Sequence, residues 1–135
     1  MTFDQYILLY FLSLGAFLLI DLFWLGVAAK NFYRHQLSSL MLDRIKWPPA
    51  LIFYAVYIIG LLVLVVHPAL EKSSLAYAVF AGALLGLISY STYDLSNLAT
   101  LKNWPLKVVL ADIVWGTILT SVVATISYLI AGLFS

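Results

Sequence analysis

The sequence predicts an all-α integral membrane protein, a bundle of four transmembrane helices. Of its 135 residues, 64% are hydrophobic and only 10% are charged. A soluble domain of this size needs a polar surface and usually carries about 25% charged residues. Four apolar stretches, each near the length of about 20 residues that crosses a bilayer, account for most of the chain. The bilayer is therefore the solvent that this composition fits.

The four stretches follow one another closely and form a single predicted domain, residues 1–135. The predicted spans are approximately residues 5–29, 49–66, 75–97 and 106–133. A hydrophilic loop, residues 30–46, joins the first two spans. Apolar residues recur in this loop at helical spacing, namely Tyr33, Leu37, Leu40, Met41 and Ile45. The loop is either a short helix lying in the membrane interface or an ordinary connection.

Basic side chains predict the orientation of the bundle. The first and third loops, with the residues that flank them, contain Lys30, Arg34, Arg44, Lys46, Lys102 and Lys107. The second loop has only Lys72, which follows Glu71. The positive-inside rule places loop 30–46 and the third loop in the cytoplasm, so both termini are expected on the periplasmic side.

A short internal repeat bears on the arrangement of the helices. Asp21-Leu22 near the end of the first span is followed by a lysine and by Trp47-Pro48. Asp94-Leu95 near the end of the third is followed by a lysine and by Trp104-Pro105. The bundle is therefore either four unrelated helices or two pseudo-repeated helix hairpins related by an axis along the membrane normal.

Three aspartates inside the predicted spans are the most informative residues. Inserting such a group costs at least ~2.5–3.5 kcal/mol, so each is a functional hypothesis by default. At 1.5 Å per residue, Asp21, Asp94 and Asp112 each lie roughly 10–13 Å from the predicted cytoplasmic end of their helix. The sequence thus predicts one layer of carboxyl groups in the cytoplasmic half of the membrane.

The neighbours of these aspartates extend the polar layer. Tyr90, Asp94 and Asn97 share one face of the third helix, and each of the other two aspartates has a tryptophan three residues later on its own face. Because the first and fourth helices run antiparallel, we expect reciprocal hydrogen bonds from each indole to the opposite carboxylate. The candidate ligand- or proton-binding residues are Asp21, Trp24, Tyr90, Asp94, Asn97, Asp112 and Trp115.

Several chemistries fit this layer, and the sequence leaves them open. Three carboxyl groups at low dielectric cannot all ionise cheaply, which suits a proton relay or a general acid. Oxygen atoms of Asp21, Asp94, Asn97 and Asp112 also suit a hard cation, and aromatic rings suit a cationic ligand. Alternatively, the aspartates only tie the helices together. His35 and His67 lack metal-ligand spacing and cysteine is absent, so no metal site is predicted, and no motif names a cofactor or a catalytic residue.

The expected partners are the lipid bilayer and a small apolar or cationic ligand. A net charge of +1 argues against nucleic acid as a partner. Ala78, Gly82 and Gly86 form a stripe of small residues on the third helix. Such stripes let helices approach closely, either within one chain or across a homodimer.

Five segments carry a family resemblance that covers nearly the whole chain. They are Asp21 to Gly26, Trp47-Pro48, Tyr93 to Lys102, Trp104 to Lys107 and Asp112 to Thr117. The chain resembles a bacterial family of predicted membrane proteins, domain of unknown function 2177. The resemblance implies a protein of the bacterial inner membrane, and it brings no catalytic or binding roles with it.

Three classes of function are compatible with these features. The first is proton-coupled transport or translocation of a small ligand, because intramembrane acids are the usual coupling groups. The second is a membrane enzyme that acts on a lipid or another apolar substrate, with an aspartate as general acid or base. The third is a non-catalytic binding or accessory subunit. Whether the chain is an enzyme is left undecided by the sequence.

Overall fold

The computed structural model describes residues 1–134 and is helical throughout its ordered elements. Its α-helices are α1 Phe3–Phe23, α2 Lys30–Leu37, α3 Trp47–Leu61, α4 His67–Glu71, α5 Leu75–Thr100 and α6 Leu106–Gly132. Two π-helical segments interrupt this pattern. Trp24–Ala28 prolongs α1, and Leu62–Val66 joins α3 to α4.

These elements give four helices that are long and apolar enough to cross a membrane, Phe3–Ala28, Trp47–Glu71, Leu75–Thr100 and Leu106–Gly132. Each has 25–27 residues, which is enough to cross about 30 Å of hydrocarbon with some tilt. Large apolar side chains point outward, such as Leu19 and Phe80, as expected for helices that face lipid. The predicted four-helix transmembrane fold is confirmed.

Two boundaries differ from the sequence prediction. The second span runs on from Val66 to Glu71, because the helix continues through Pro68, which lies just after the π-helical segment Leu62–Val66. In the first loop, α2 covers only Lys30–Leu37, and the remainder up to Lys46 is not helical. The helical spacing therefore indicated a helix correctly in the first half of loop 30–46 and not in the second half.

The closest packing in the bundle joins α5 to α6. The Cβ of an alanine at Gly82 would lie 2.8 Å from the Cβ of Ala124, and one at Gly86 would overlap the carbonyl oxygen of Gly116. The absence of side chains at these positions is what lets the two backbones meet. Ala78, Gly82 and Gly86 are all buried within the chain. They offer no exposed surface for the predicted homodimer contact, and dimerisation stays a prediction.

Buried hydroxyl groups link the helices across the bundle. Ser13 on α1 and Ser127 on α6 lie 2.6 Å apart, and the Tyr57 hydroxyl on α3 lies 2.8 Å from that of Thr120 on α6. Such pairing is needed because lipid offers no partners to polar groups. The helix α5 packs closely against Leu62–Val66 and α4, whereas it meets α3 mainly through side chains, such as the rings of Tyr57 and Tyr90, whose centroids lie 6.5 Å apart. The backbones of α3 and α5 are therefore separated, which leaves room for a cleft between them.

Candidate functional site

The gap between α3 and α5 contains a cleft of about 460 Å³. Its lining residues come from four helices and are Asp21, Leu25, Phe53, Ser89, Tyr90, Tyr93 and Asp112. Phe53 and Tyr93 are 46% and 56% exposed. Because outward-facing side chains of a membrane bundle meet lipid, the cleft opens sideways towards the bilayer, with two carboxyl groups within it.

Asp21 accepts more hydrogen bonds than either of the other two aspartates. The Tyr54 hydroxyl donates a hydrogen bond to its Oδ2 at 2.7 Å, and the Trp115 indole donates to its Oδ1 at 3.0 Å. The residue is only 5% exposed. One carboxylate of α1 is thereby bound to both α3 and α6, which gives it a role in holding the bundle together.

Two aromatic side chains, Trp24 and Tyr33, form a chain of hydrogen bonds that ends at Asp112. The Tyr33 hydroxyl donates to its Oδ1 at 3.0 Å, and the Trp24 indole donates to the Tyr33 oxygen at 3.2 Å. The rings of Trp24 and Trp115 stack at 4.3 Å with an interplanar angle of 9°. The predicted bond from Trp115 to Asp21 is confirmed, whereas the direct bond from Trp24 to Asp112 is wrong. The π-helical turn that begins at Trp24 changes the direction of the side chains that follow Phe23, and Tyr33 occupies the space between indole and carboxylate.

Tyr33 enters the site from outside the four spans. The helix α2 folds back onto the bundle, and Tyr33 is buried against Ala29 and Val108. Burial raises the pKa of the Tyr33 hydroxyl above its ordinary value. The hydroxyl therefore keeps its proton at physiological pH and is available as a donor to Asp112.

Asp94 does not line the cleft and is fully buried. Neither of its carboxyl oxygens has a hydrogen-bond partner among the described residues. Asp112 and Trp104 are its nearest polar neighbours and lie close enough to interact with it. The Trp104 indole nitrogen is also buried, and neither it nor the Asp94 oxygens make a hydrogen bond of good geometry within residues 1–134. A donor and an acceptor thus face the same region without a well-formed hydrogen bond between them, which is rare in a folded interior.

The two remaining candidate residues are placed differently. The ring of Tyr90 lines the cleft and lies directly on the backbone of Gly116, where a Cβ would overlap it. Asn97 is half-buried beside Tyr93 and does not line the cleft. The structure therefore brings Asp21, Tyr90 and Asp112 to one cavity. Asp94 and Asn97 do not line it, and Asn97 neighbours the lining residue Tyr93.

Three residues of this arrangement escape the sequence reasoning: Tyr33, Tyr54 and Trp104. Tyr33 reads as part of an apolar loop stripe and Trp104 as an interface anchor. Tyr54 carried a usable signal, since a hydroxyl inside a strongly apolar span requires a partner. This signal indicates that a partner is needed but does not identify it, because Tyr10 and Tyr57 also lie in apolar spans and pair with the Ala55 carbonyl oxygen and the Thr120 hydroxyl.

A metal ion is not favoured by the geometry. Within residues 1–134, no group of three His, Asp or Glu side chains lies close enough together to hold one. Asp94 and Asp112 are neighbours, but no third carboxyl group of the described residues lies close enough to complete such a site with them. This argues against the alternative of a hard cation held by Asp21, Asp94, Asn97 and Asp112.

These features define a class: a four-span integral membrane protein with a carboxylate-containing cleft between two of its helices. Within that class, the chain belongs to the family described as Predicted membrane protein (DUF2177), whose model matches residues 6–129. The resemblance carried by the Asp, Trp and Tyr segments is confirmed by this match. No curated protein and no solved structure matches the chain.

Proposed function

We propose that the protein binds a small amphipathic organic cation in the cleft and moves it across the membrane in exchange for protons. The observation that carries the proposal is the charge of the cleft. Asp21 and Asp112 line it, and none of the residues placed around it is basic. A buried carboxylate needs an opposite charge or a proton, so a cationic ligand and protons compete for the same groups.

The shape and the walls of the cleft support the same ligand class. Its volume of about 460 Å³ falls within the range of small-molecule sites. Phe53, Tyr90 and Tyr93 present aromatic rings, which attract cations and also pack against apolar bodies. An amphipathic cation dissolved in the bilayer is able to enter through the side opening without crossing a polar surface.

The basic residues in the loops support a location of the site in the cytoplasmic half of the membrane. If loop 30–46 and the third loop face the cytoplasm, the cleft lies in the cytoplasmic half of a bacterial inner membrane and both termini lie in the periplasm. A cation taken from that half would then be exported. A site off the midplane requires a second conformation that opens to the other side.

A membrane enzyme acting on a lipid is the second candidate function. The sideways opening favours it, because a lipid substrate is able to reach Asp112 directly from its own leaflet. In that reading an aspartate acts as general acid or base. The two candidates separate experimentally, since an enzyme converts added lipids into products and a transporter returns them unchanged.

Binding is tested with two ions of the same shape and opposite charge. Purified protein is titrated with tetraphenylphosphonium and, separately, with tetraphenylborate, and tryptophan fluorescence is followed because Trp115 is bonded to the cleft residue Asp21. We expect the cation to bind at least tenfold more tightly, a difference of about 1.4 kcal/mol. Equal affinity for both ions, or no saturable binding of either, contradicts the proposal.

Two variants show where the cation binds. Asp112→Asn removes a cleft carboxylate and should weaken cation binding by about tenfold or more, a loss of ~1.4 kcal/mol. Asp4→Asn is the matched control, because Asp4 is exposed in the first turn of α1 and does not line the cleft. Its affinity should equal that of the unmodified chain.

A further inference from the structure

We infer that Asp94 carries the proton that the bound cation displaces, and that Trp104 stabilises the carboxylate which the proton leaves behind. The inference rests on the proposed function and assigns different roles to the three aspartates. It places the exchange of proton for cation at a buried group that does not line the cleft but neighbours the lining residue Asp112.

The hydrogen bonds of the three carboxyl groups support this division. Asp21 accepts two, from Tyr54 and Trp115, and Asp112 accepts one, from Tyr33. The oxygens of Asp94 accept none from the described residues, and the residue is fully buried. Hydrogen-bond donors stabilise a charged carboxylate, so the three groups differ in how well each tolerates charge.

The groups that face Asp94 make its charged form costly in the absence of a ligand. Asp112 faces it from α6, Tyr33 from α2 and Trp104 from the segment between α5 and α6, while Tyr93 is its neighbour on α5. None of these is basic, and Asp112 is of like charge. A carboxyl group buried in this way is accommodated at least cost with its proton bound.

A cation beside Asp112 reverses this balance. Its positive charge attracts negative charge on both neighbouring carboxyl groups, and this attraction is stronger at low dielectric than in water. Asp94 then releases its proton to the surrounding water, and the Trp104 indole, which makes no hydrogen bond of good geometry within residues 1–134, supplies the hydrogen bond that the new carboxylate needs. One positive charge enters and one leaves, so the net charge of the site is unchanged.

Proton release on binding tests the inference directly. Purified protein in weakly buffered solution with a pH-indicator dye is mixed with saturating tetraphenylphosphonium, which has no dissociable proton of its own. We expect about one proton released per bound cation, because ligand and proton binding are reciprocally linked. Asp94→Asn should still bind the cation but release no proton, and Asp4→Asn should release as much as the unmodified chain.

A second variant, Trp104→Phe, tests the inference even if Asp94→Asn does not fold. Trp104→Phe retains the carboxyl group and the aromatic body but removes the indole N–H. We expect it to bind the cation and to release at most half as many protons, because the carboxylate of Asp94 loses its donor. Full proton release by Trp104→Phe contradicts the role given to the indole.

The outcomes separate this inference from the proposed function. If the unmodified chain binds the cation without releasing a proton, or if Asp94→Asn releases as many as the unmodified chain, the role of Asp94 is wrong and cation binding stands. If the unmodified chain binds no cation, the proposed function fails and this inference falls with it.

Discussion

At the scale of single residues, Asp21 and Asp94 look equivalent in the sequence and differ entirely in their surroundings. Both lie near the end of an apolar helix and precede a leucine. Asp21 is bonded to two other helices, whereas Asp94 has no partner among the described residues. A substitution of Asp21 should therefore lower stability, whereas a substitution of Asp94 should alter proton exchange.

We expect Asp21→Asn to destabilise the protein by about 1–3 kcal/mol. The amide keeps one acceptor oxygen but turns the other into a donor, which then meets either the Tyr54 hydroxyl or the Trp115 N–H. Trp115 cannot reverse its role, because an indole only donates. Unfolding in mixed micelles, followed by circular dichroism, measures the loss. Asp4→Asn is the control, and equal stability of the two variants would contradict the structural role of Asp21.

Tyr33→Phe removes the hydroxyl that links Trp24 to Asp112. The variant leaves an indole N–H without an acceptor and a carboxylate without a donor, so we expect a cost of about 1–3 kcal/mol. Tryptophan emission should shift as the contact of Trp24 changes. Phe32→Leu, which alters a half-buried neighbour without a hydrogen bond, is a suitable control. An unchanged spectrum and unchanged stability would show that the bridge contributes nothing.

At the scale of helices, the contact between α5 and α6 depends on glycine at two facing positions. A Cβ at Gly116 would overlap the ring of Tyr90, which lines the cleft. Packing and site are therefore coupled at this residue, since any movement of the ring to relieve the overlap also changes the cleft.

Gly116→Ala should destabilise the bundle by about 1–3 kcal/mol, the usual cost of overpacking. It should also weaken cation binding, because Tyr90 has to move. Gly60→Ala offers a matched control within a helix, since a Cβ there has nothing within 4 Å. We expect that change to be neutral or stabilising by up to about 1 kcal/mol. Thermal unfolding and the titration with tetraphenylphosphonium check both effects, and similar behaviour of the two variants would contradict the packing argument.

The sequence predicted the helices better than it predicted their contacts. Four apolar stretches and the loop between the first two follow directly from hydropathy, and the structure moves their ends by only a few residues. The link from Trp115 to Asp21 followed from helical spacing and antiparallel direction. The bridge through Tyr33 did not, because it depends on a π-helical turn and on the direction in which α2 folds back, and neither has a periodic signal.

At the scale of the whole molecule, the distribution of charge predicts how the bundle sits in the membrane. The chain has no cysteine, so single cysteines report unambiguously on exposure to each side. Ser38 follows α2 in the first loop, and Ser73 lies in the turn between α4 and α5.

We expect Ser73→Cys, in intact cells with a permeabilised outer membrane, to react with a maleimide that does not cross the inner membrane. Ser38→Cys should react only after the cells are lysed, because the positive-inside rule places its loop in the cytoplasm. Both variants labelled in lysate control for reactivity. The reverse pattern would invert the proposed direction of transport, and it would leave the geometry of the cleft unchanged.

The sideways opening of the cleft has a consequence for selectivity. For a ligand that enters from the bilayer, the concentration that determines binding is the one among the acyl chains. For an amphipathic molecule, that concentration far exceeds the concentration in water. Partitioning therefore multiplies the apparent affinity before any contact with Asp112 is made. Under the proposed function, two cations that fit the cleft equally well should bind with different apparent affinity if they differ in oil–water distribution, so the membrane itself contributes to the selection of the ligand.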